Sequence, residues 1–132
     1  MRTTTRKSLR CLAAALTACT CLGAATALAD STDDAVRKAN GIAYRSAIKC
    51  FVAEGSIAGR KKDAGDTAQQ AKYEAMARQS FDIAKALGGK LGYSGNRISQ
   101  DFGLTQTEEL PQLVGDSAHL NRVMSMCAAL GL

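Results

Sequence analysis

His119 is the only histidine of the chain, and Asp116 lies three residues before it. A carboxylate that orients an imidazole is half of a general-base device, which also needs a nucleophile or a water within reach. This spacing supplies neither, and capping the first turn of a helix accounts for Asp116. Glu108, Glu109 and Asp101 are the other carboxylates with acid–base potential. No paired cleft follows from their positions, and all three are expected on the surface. Met124, Met126 and Cys127, with His119 nearby, are side-chain types that suit Cu(I). On a helix, however, Met124 and Met126 point about 200° apart. Core packing is the expected use of Met124, with Met126 near a helix boundary. Asp63, Gly65 and Asp66 lack the spacing of a calcium loop and its closing glutamate. The glycines of LGGKLGYSGN follow no strand and lack the Lys-Ser/Thr pair of a phosphate loop. The sequence therefore assigns no catalytic residue, no cofactor and no metal site, and the chain reads as non-enzymatic.

The cysteines carry a different chemistry. Arg2, Arg6, Lys7 and Arg10 precede an apolar run from Cys11 to Ala29, which closes on Ala27-Leu28-Ala29 before Asp30. A basic start, an apolar centre and small residues at a cut form a secretory signal. Residues 1–29 are thus expected to be a signal peptide and residues 30–132 a single domain, exported by the general secretory route to the periplasm or beyond. Cleavage after Ala29 removes Cys11, Cys19 and Cys21 and leaves Cys50 and Cys127. An even pair in an exported chain reads as a disulfide. Leu16-Thr17-Ala18-Cys19 also resembles the lipobox of bacterial lipoproteins, which would anchor the chain by lipid at Cys19. The uncharged residues that continue after Cys19 favour the cut at Ala29. The signal holds four of the 17 basic residues and none of the 12 acidic ones, so the domain carries 13 against 12, a net of +1. Net charge gives nucleic-acid binding no support, and no membrane span remains after cleavage.

The elements that would position these residues are helices. Ala35, Ala39, Ile42, Ser46, Cys50, Ala53 and Ile57 recur at helical spacing and predict a first helix from Asp33 to about residue 58, weakened at Gly55 and Gly59. Residues 59–66 read as an exposed connection. Within it Arg60, Lys61 and Lys62 form the densest basic cluster, either a solvated helix end or a patch for an acidic partner. Thr67 with Gln70 fits a capping box, opening a second helix that Gly88-Gly89 should stop. Between Lys90 and Asp116 two short helices are expected, one capped by Ser94 and one by Thr105 with Glu108, with Pro111 in or breaking its first turn. Asp116 or Ser117 caps a last helix on which Leu120, Val123, Met124, Cys127 and Leu130 share a face, ending at Gly131. Cys50 and Cys127 both lie on apolar stripes. The expected fold is therefore all-α, a small irregular bundle of four or five helices with the first and last joined by one disulfide.

In plan this is similar to small periplasmic helical proteins with one disulfide, such as acid-stress chaperones and immunity proteins against secreted toxins. The leading expectation is an exported, non-enzymatic protein that binds another macromolecule, a protein partner of unknown identity. A small-ligand carrier and an enzyme of unrecognised type are the alternatives of other classes. Acid would neutralise the carboxylates and leave about 13 unbalanced positive charges, loosening the fold. Intact mass of the protein from its native host is expected to start at Asp30 and to be two hydrogens light before reduction. A mass that starts at Cys19 with added acyl chains would make it a lipoprotein instead.

Overall fold

The computed structural model describes residues 22–132, with side-chain surroundings from residue 32 onward. The basic stretch 1–10, most of the apolar run, and Cys11, Cys19 and Cys21 lie outside the described residues. Four helices follow one another: α1 (Leu22–Asp63), α2 (Thr67–Lys90), α3 (Gly95–Gly115) and α4 (Ser117–Ala129). Among the described residues there is no strand, and no helix is long and apolar enough to cross a membrane.

α1 is the central element, and α2, α3 and α4 all pack on it. This explains why its buried residues do not stay on one stripe. Tyr44, Ala47, Ile48, Cys50, Val52, Ala53, Glu54 and Ala58 are all buried, a set that wraps most of the way round the helix. The expected stripe held at Cys50 and Ala53 and failed toward the start, where Ala35, Ala39 and Ile42 are exposed. Between residues 32 and 43 α1 has no buried side chain; the first is Tyr44, where Gly88 of α2 meets it. α1 also does not stop near residue 58. Gly55 and Gly59 each cost a helix about 1 kcal/mol against alanine, and packing on both sides of them outweighs that cost. The connection shrinks to residues 64–66, with Gly65 at φ 73°.

The caps follow local chemistry. Asp66, rather than Thr67, caps α2, its carboxylate accepting from the backbone N–H of Gln69 at 3.2 Å. A carboxylate just before the first turn also meets the positive end of the helix dipole. α2 runs through Gly88-Gly89 and ends at Lys90, followed by Gly92 at φ 76°. Gly88 serves close approach instead: a Cβ there would stand 2.8 Å from Ile98 Cδ1 and 3.1 Å from Tyr44 Cε2. Ser94 caps α3 as expected, accepting from Arg97 N. The two short helices expected after it are one. Phe102, Glu109 and Leu113, spaced seven and four, form a continuous inward stripe that carries the helix through Thr105 and Pro111. Pro111 forfeits one backbone bond on the exposed side. Asp116 caps α4 by accepting from Ala118 N and His119 N. Leu130 closes α4 and is exposed, off the face expected for it.

Two core clusters meet on α1. One joins Tyr44, Ala47, Ile48, Ala84, Leu91 and Phe102; the other joins Cys50, Val52, Ala53, Leu113, Val123 and Cys127. Phe51 packs against both. Its ring lies 5.7 Å from that of Phe81 and 5.1 Å from that of Phe102, which are themselves 5.1 Å apart, so α1, α2 and α3 each give one ring to a mutual contact. The Cys50–Cys127 disulfide links α1 to α4 with Cα atoms 5.7 Å apart, and both cysteines are fully buried.

The glycines give opposite expectations. Gly88→Ala should destabilise by about 1–3 kcal/mol, because the new methyl overlaps Ile98 and Tyr44. Gly55→Ala, whose Cβ meets nothing within 4 Å, should stabilise by about 0.5–1 kcal/mol. Urea unfolding of the two variants reads both signs.

Candidate functional site

The structure brings together some of the residues singled out by sequence and disperses others. Asp116 is a helix cap, and its carboxyl is held below the ordinary value by the His119 backbone hydrogen bond, reinforced by that of Ala118. The His119 side chain turns instead to Glu109: its Nε2–H donates to Glu109 Oε2 at 2.9 Å. Lys49 of α1 forms an ion pair with the other oxygen, Glu109 Oε1. Glu109 is therefore no surface acid. It is buried, and it ties α3 to both α1 and α4. Burial pushes its carboxyl upward, but the hydrogen bonds and charges of Lys49 and His119 together outweigh that and hold it below the ordinary value. Glu108, its neighbour, is exposed.

Asp101 has a similar use. Tyr44 Oη donates to its Oδ2 at 2.9 Å, and Arg97 Nε approaches Oδ1 at 2.9 Å from one turn earlier. Arg97 also covers the Tyr93 ring, which meets Tyr44 edge-on at 5.3 Å. Burial first, and then the Asp101 hydrogen bond and charge, raise the Tyr44 phenol far above its ordinary range. Met124 and Met126 both pack against the α1–α4 core cluster, and Cys127 is in the disulfide. Among the described residues no three His, Cys, Asp or Glu side chains converge as metal ligands.

Arg60, Lys61 and Lys62 occupy the last turn of α1, where the helix dipole favours cations. Lys61 lies 3.5 Å from Asp66 across the turn, Arg60 is exposed, and Lys62 lines a groove between α1 and α2. This groove has a volume of about 690 Å3. Phe51, Gly55, Ala58 and Gly59 form its α1 side, and Ala77 and Phe81 its α2 side. Lys62, Glu74, Arg78 and Asp82 give its rim both signs of charge. A smaller, more enclosed depression between α1 and α3 shares Phe51 and Gly55 with it and continues to Gln106 and Leu110.

The sequence reading missed a buried polar pair. Glu54 and Ser80 are fully buried between α1 and α2, and Ser80 Oγ donates to Glu54 Oε2 at 2.8 Å. Glu54 Oε1 has no hydrogen-bond partner. Burial raises the Glu54 carboxyl above its ordinary value, only partly countered by Ser80. The signal was present: Glu54 follows Cys50-Phe51-Val52-Ala53, one turn beyond Cys50, and Ser80 lies on the apolar stripe of the second helix.

No protein-family model, curated protein or solved structure matches the chain. What the fold defines is an all-α bundle of four described helices with one disulfide.

The two buried glutamates should give opposite pH signatures. Glu54 keeps its proton in the folded state at pH values where the unfolded chain, near 4.5, has released it. Stability is therefore lost as pH rises from 4.5 toward the folded value. Glu54→Gln should raise stability at neutral pH, with the gain vanishing below 4.5. Glu109 contributes stability above 4.5 that is lost as pH falls through its lowered folded value. Glu109→Gln should cost about 2 kcal/mol at neutral pH, from lost hydrogen bonds to charged groups, and little in strong acid. Urea unfolding across pH checks both.

Proposed function

We propose that this is an exported, non-enzymatic protein that acts by binding another protein through the groove between α1 and α2. On this reading residues 1–29 are the signal, α1 is the first helix of the exported domain, and the disulfide ties that first helix to the last. A lipid anchor at Cys19 is the alternative route to the same compartment.

One observation carries the reading. Gly55 and Gly59 stand one turn apart in the interior of α1 and line the groove, yet a Cβ at either meets nothing within 4 Å. Packing does not require them, and each weakens the helix. Together with Ala58 and Ala77 they bare a shallow, smooth floor beside Phe51 and Phe81. A partner that fits presents an apolar ridge, flanked by charges of both signs that meet Lys62 and Arg78 on one hand and Glu74 and Asp82 on the other. The polar clusters support binding over catalysis, since His119, Glu109, Lys49, Tyr44 and Asp101 are spent on tying helices together. An inhibitor or immunity protein fits this description. The acid-stress chaperone reading is favoured by a separate observation: Val36, Ile42, Leu104, Val114 and Leu130 expose apolar side chains.

A photo-cross-linking side chain placed at Gly59 in the native host is expected to give one dominant protein adduct. The same probe at Lys90, at the far end of α2, should give none. Equal labelling from both positions, or a small molecule found in the groove by native mass spectrometry, would contradict the reading.

A further inference from the structure

The side-chain ties that hold α3 to its neighbours share one chemistry. At its first half, Asp101 accepts from Tyr44 of α1 at 2.9 Å. At its second half, Glu109 accepts from Lys49 of α1 and from His119 of α4 at 2.9 Å. In each case the acceptor is a carboxylate carried by α3, and in each case the donor belongs to the body on which α3 lies. We propose that α3 is an acid-released cover: protonation of Glu109 undocks it from α1, while the α1–α2 hairpin and the disulfide-tethered α4 stay assembled.

The surrounding groups decide the direction. Around Glu109 stand Lys49 from α1 and His119 from α4. Protonation removes both ion pairs and leaves two basic side chains facing a neutral acid. Asp101 meets Tyr44 from α1 and Arg97 from α3 itself, and it lines one depression with Arg45, Tyr93 and Glu108. The joint between α1 and α2 has the opposite chemistry. Its buried acid, Glu54, meets only the Ser80 hydroxyl and no charged side chain, so acid favours its protonated, buried form. The Cys50–Cys127 bond does not titrate and keeps α4 on α1.

The chain can also make the movement. α3 is joined to α2 through residues 91–94, where Gly92 sits at φ 76°, and to α4 through the single extended residue Asp116. Its release would uncover Ile48, Phe51 and Val52 of α1 and its own Phe102 and Leu113. Because the α1–α3 depression shares Phe51 and Gly55 with the α1–α2 groove, that groove would widen into the core. The inference does not depend on what the groove binds.

The test is amide hydrogen exchange of the oxidised full domain, measured by mass spectrometry across a descending pH series and corrected for intrinsic exchange. Protection of 95–115 is expected to fall about tenfold or more before that of 67–90, as loss of charge-assisted hydrogen bonds implies. Glu109→Gln should show the same selective loss at neutral pH. Loss of protection in α2 and α3 at one common pH, or an α3 that stays protected in acid, would overturn the proposal. The wild-type series alone decides if the variant does not fold.

Discussion

The Cys50–Cys127 bond lies where α1 is most enclosed, and the arrangement of the other helices depends on it. Cys50 is fully buried in the second core cluster, beside Phe51, which packs against both, and Cys127 belongs to α4, the shortest of the described helices. A helix of 13 residues has little intrinsic stability in water. Only Val123 and Cys127 of α4 are buried, with Leu120, Met124 and Met126 packed more loosely beside them. The bond closes a loop of 77 positions, for which the chain-entropy model gives about 4–5 kcal/mol. That is a large contribution for a domain with few bulky core residues, several of whose fully buried positions are alanines.

With α4 fixed to α1, charge does the remaining orientation. Glu109 is reached from both of those helices at once, so it positions α3 against a pair already joined covalently. Glu54 acts at the other face of α1, where a hydroxyl and not a cation meets the buried acid. Two glutamates on different elements are driven to opposite protonation behaviour by what stands beside them. The small residues complete the plan. Ala47, Ala84 and Gly88 let α2 lie close on α1, whereas Gly55 and Gly59 leave an uncovered floor.

Much of this was legible in the sequence, and the failures have physical causes. The all-α class, the Cys50–Cys127 pairing and the caps at Ser94 and Asp116 follow from periodicity, cysteine parity and short-range side-chain chemistry. All of these are local or covalent. Glycine and proline misled wherever tertiary packing outweighed propensity. α1 continued through Gly55 and Gly59, and α3 through Pro111, because inward-facing residues on either side kept both helices docked. The polar clusters were harder to see. Glu109 falls at the spacing of Phe102 and Leu113, which marks it as inward-facing, but its partners Lys49 and His119 are distant in the chain and meet it only in the fold. The basic run at Arg60 to Lys62 was visible as a cluster and lies in the last turn of α1, with Lys61 beside Asp66 and Lys62 on the groove.

The measurement that bears most directly on this account is the unfolding midpoint in urea of the oxidised domain against the same domain reduced and alkylated at Cys50 and Cys127. If the bond holds α4 in place and α3 rests on the joined pair, reduction should lower stability by about 2–5 kcal/mol. Helical signal and protection from α3 and α4 should be lost before that of the α1–α2 hairpin. An unchanged midpoint, with α3 and α4 still protected in the reduced protein, would mean that noncovalent packing alone builds the bundle and that the bond is incidental to it.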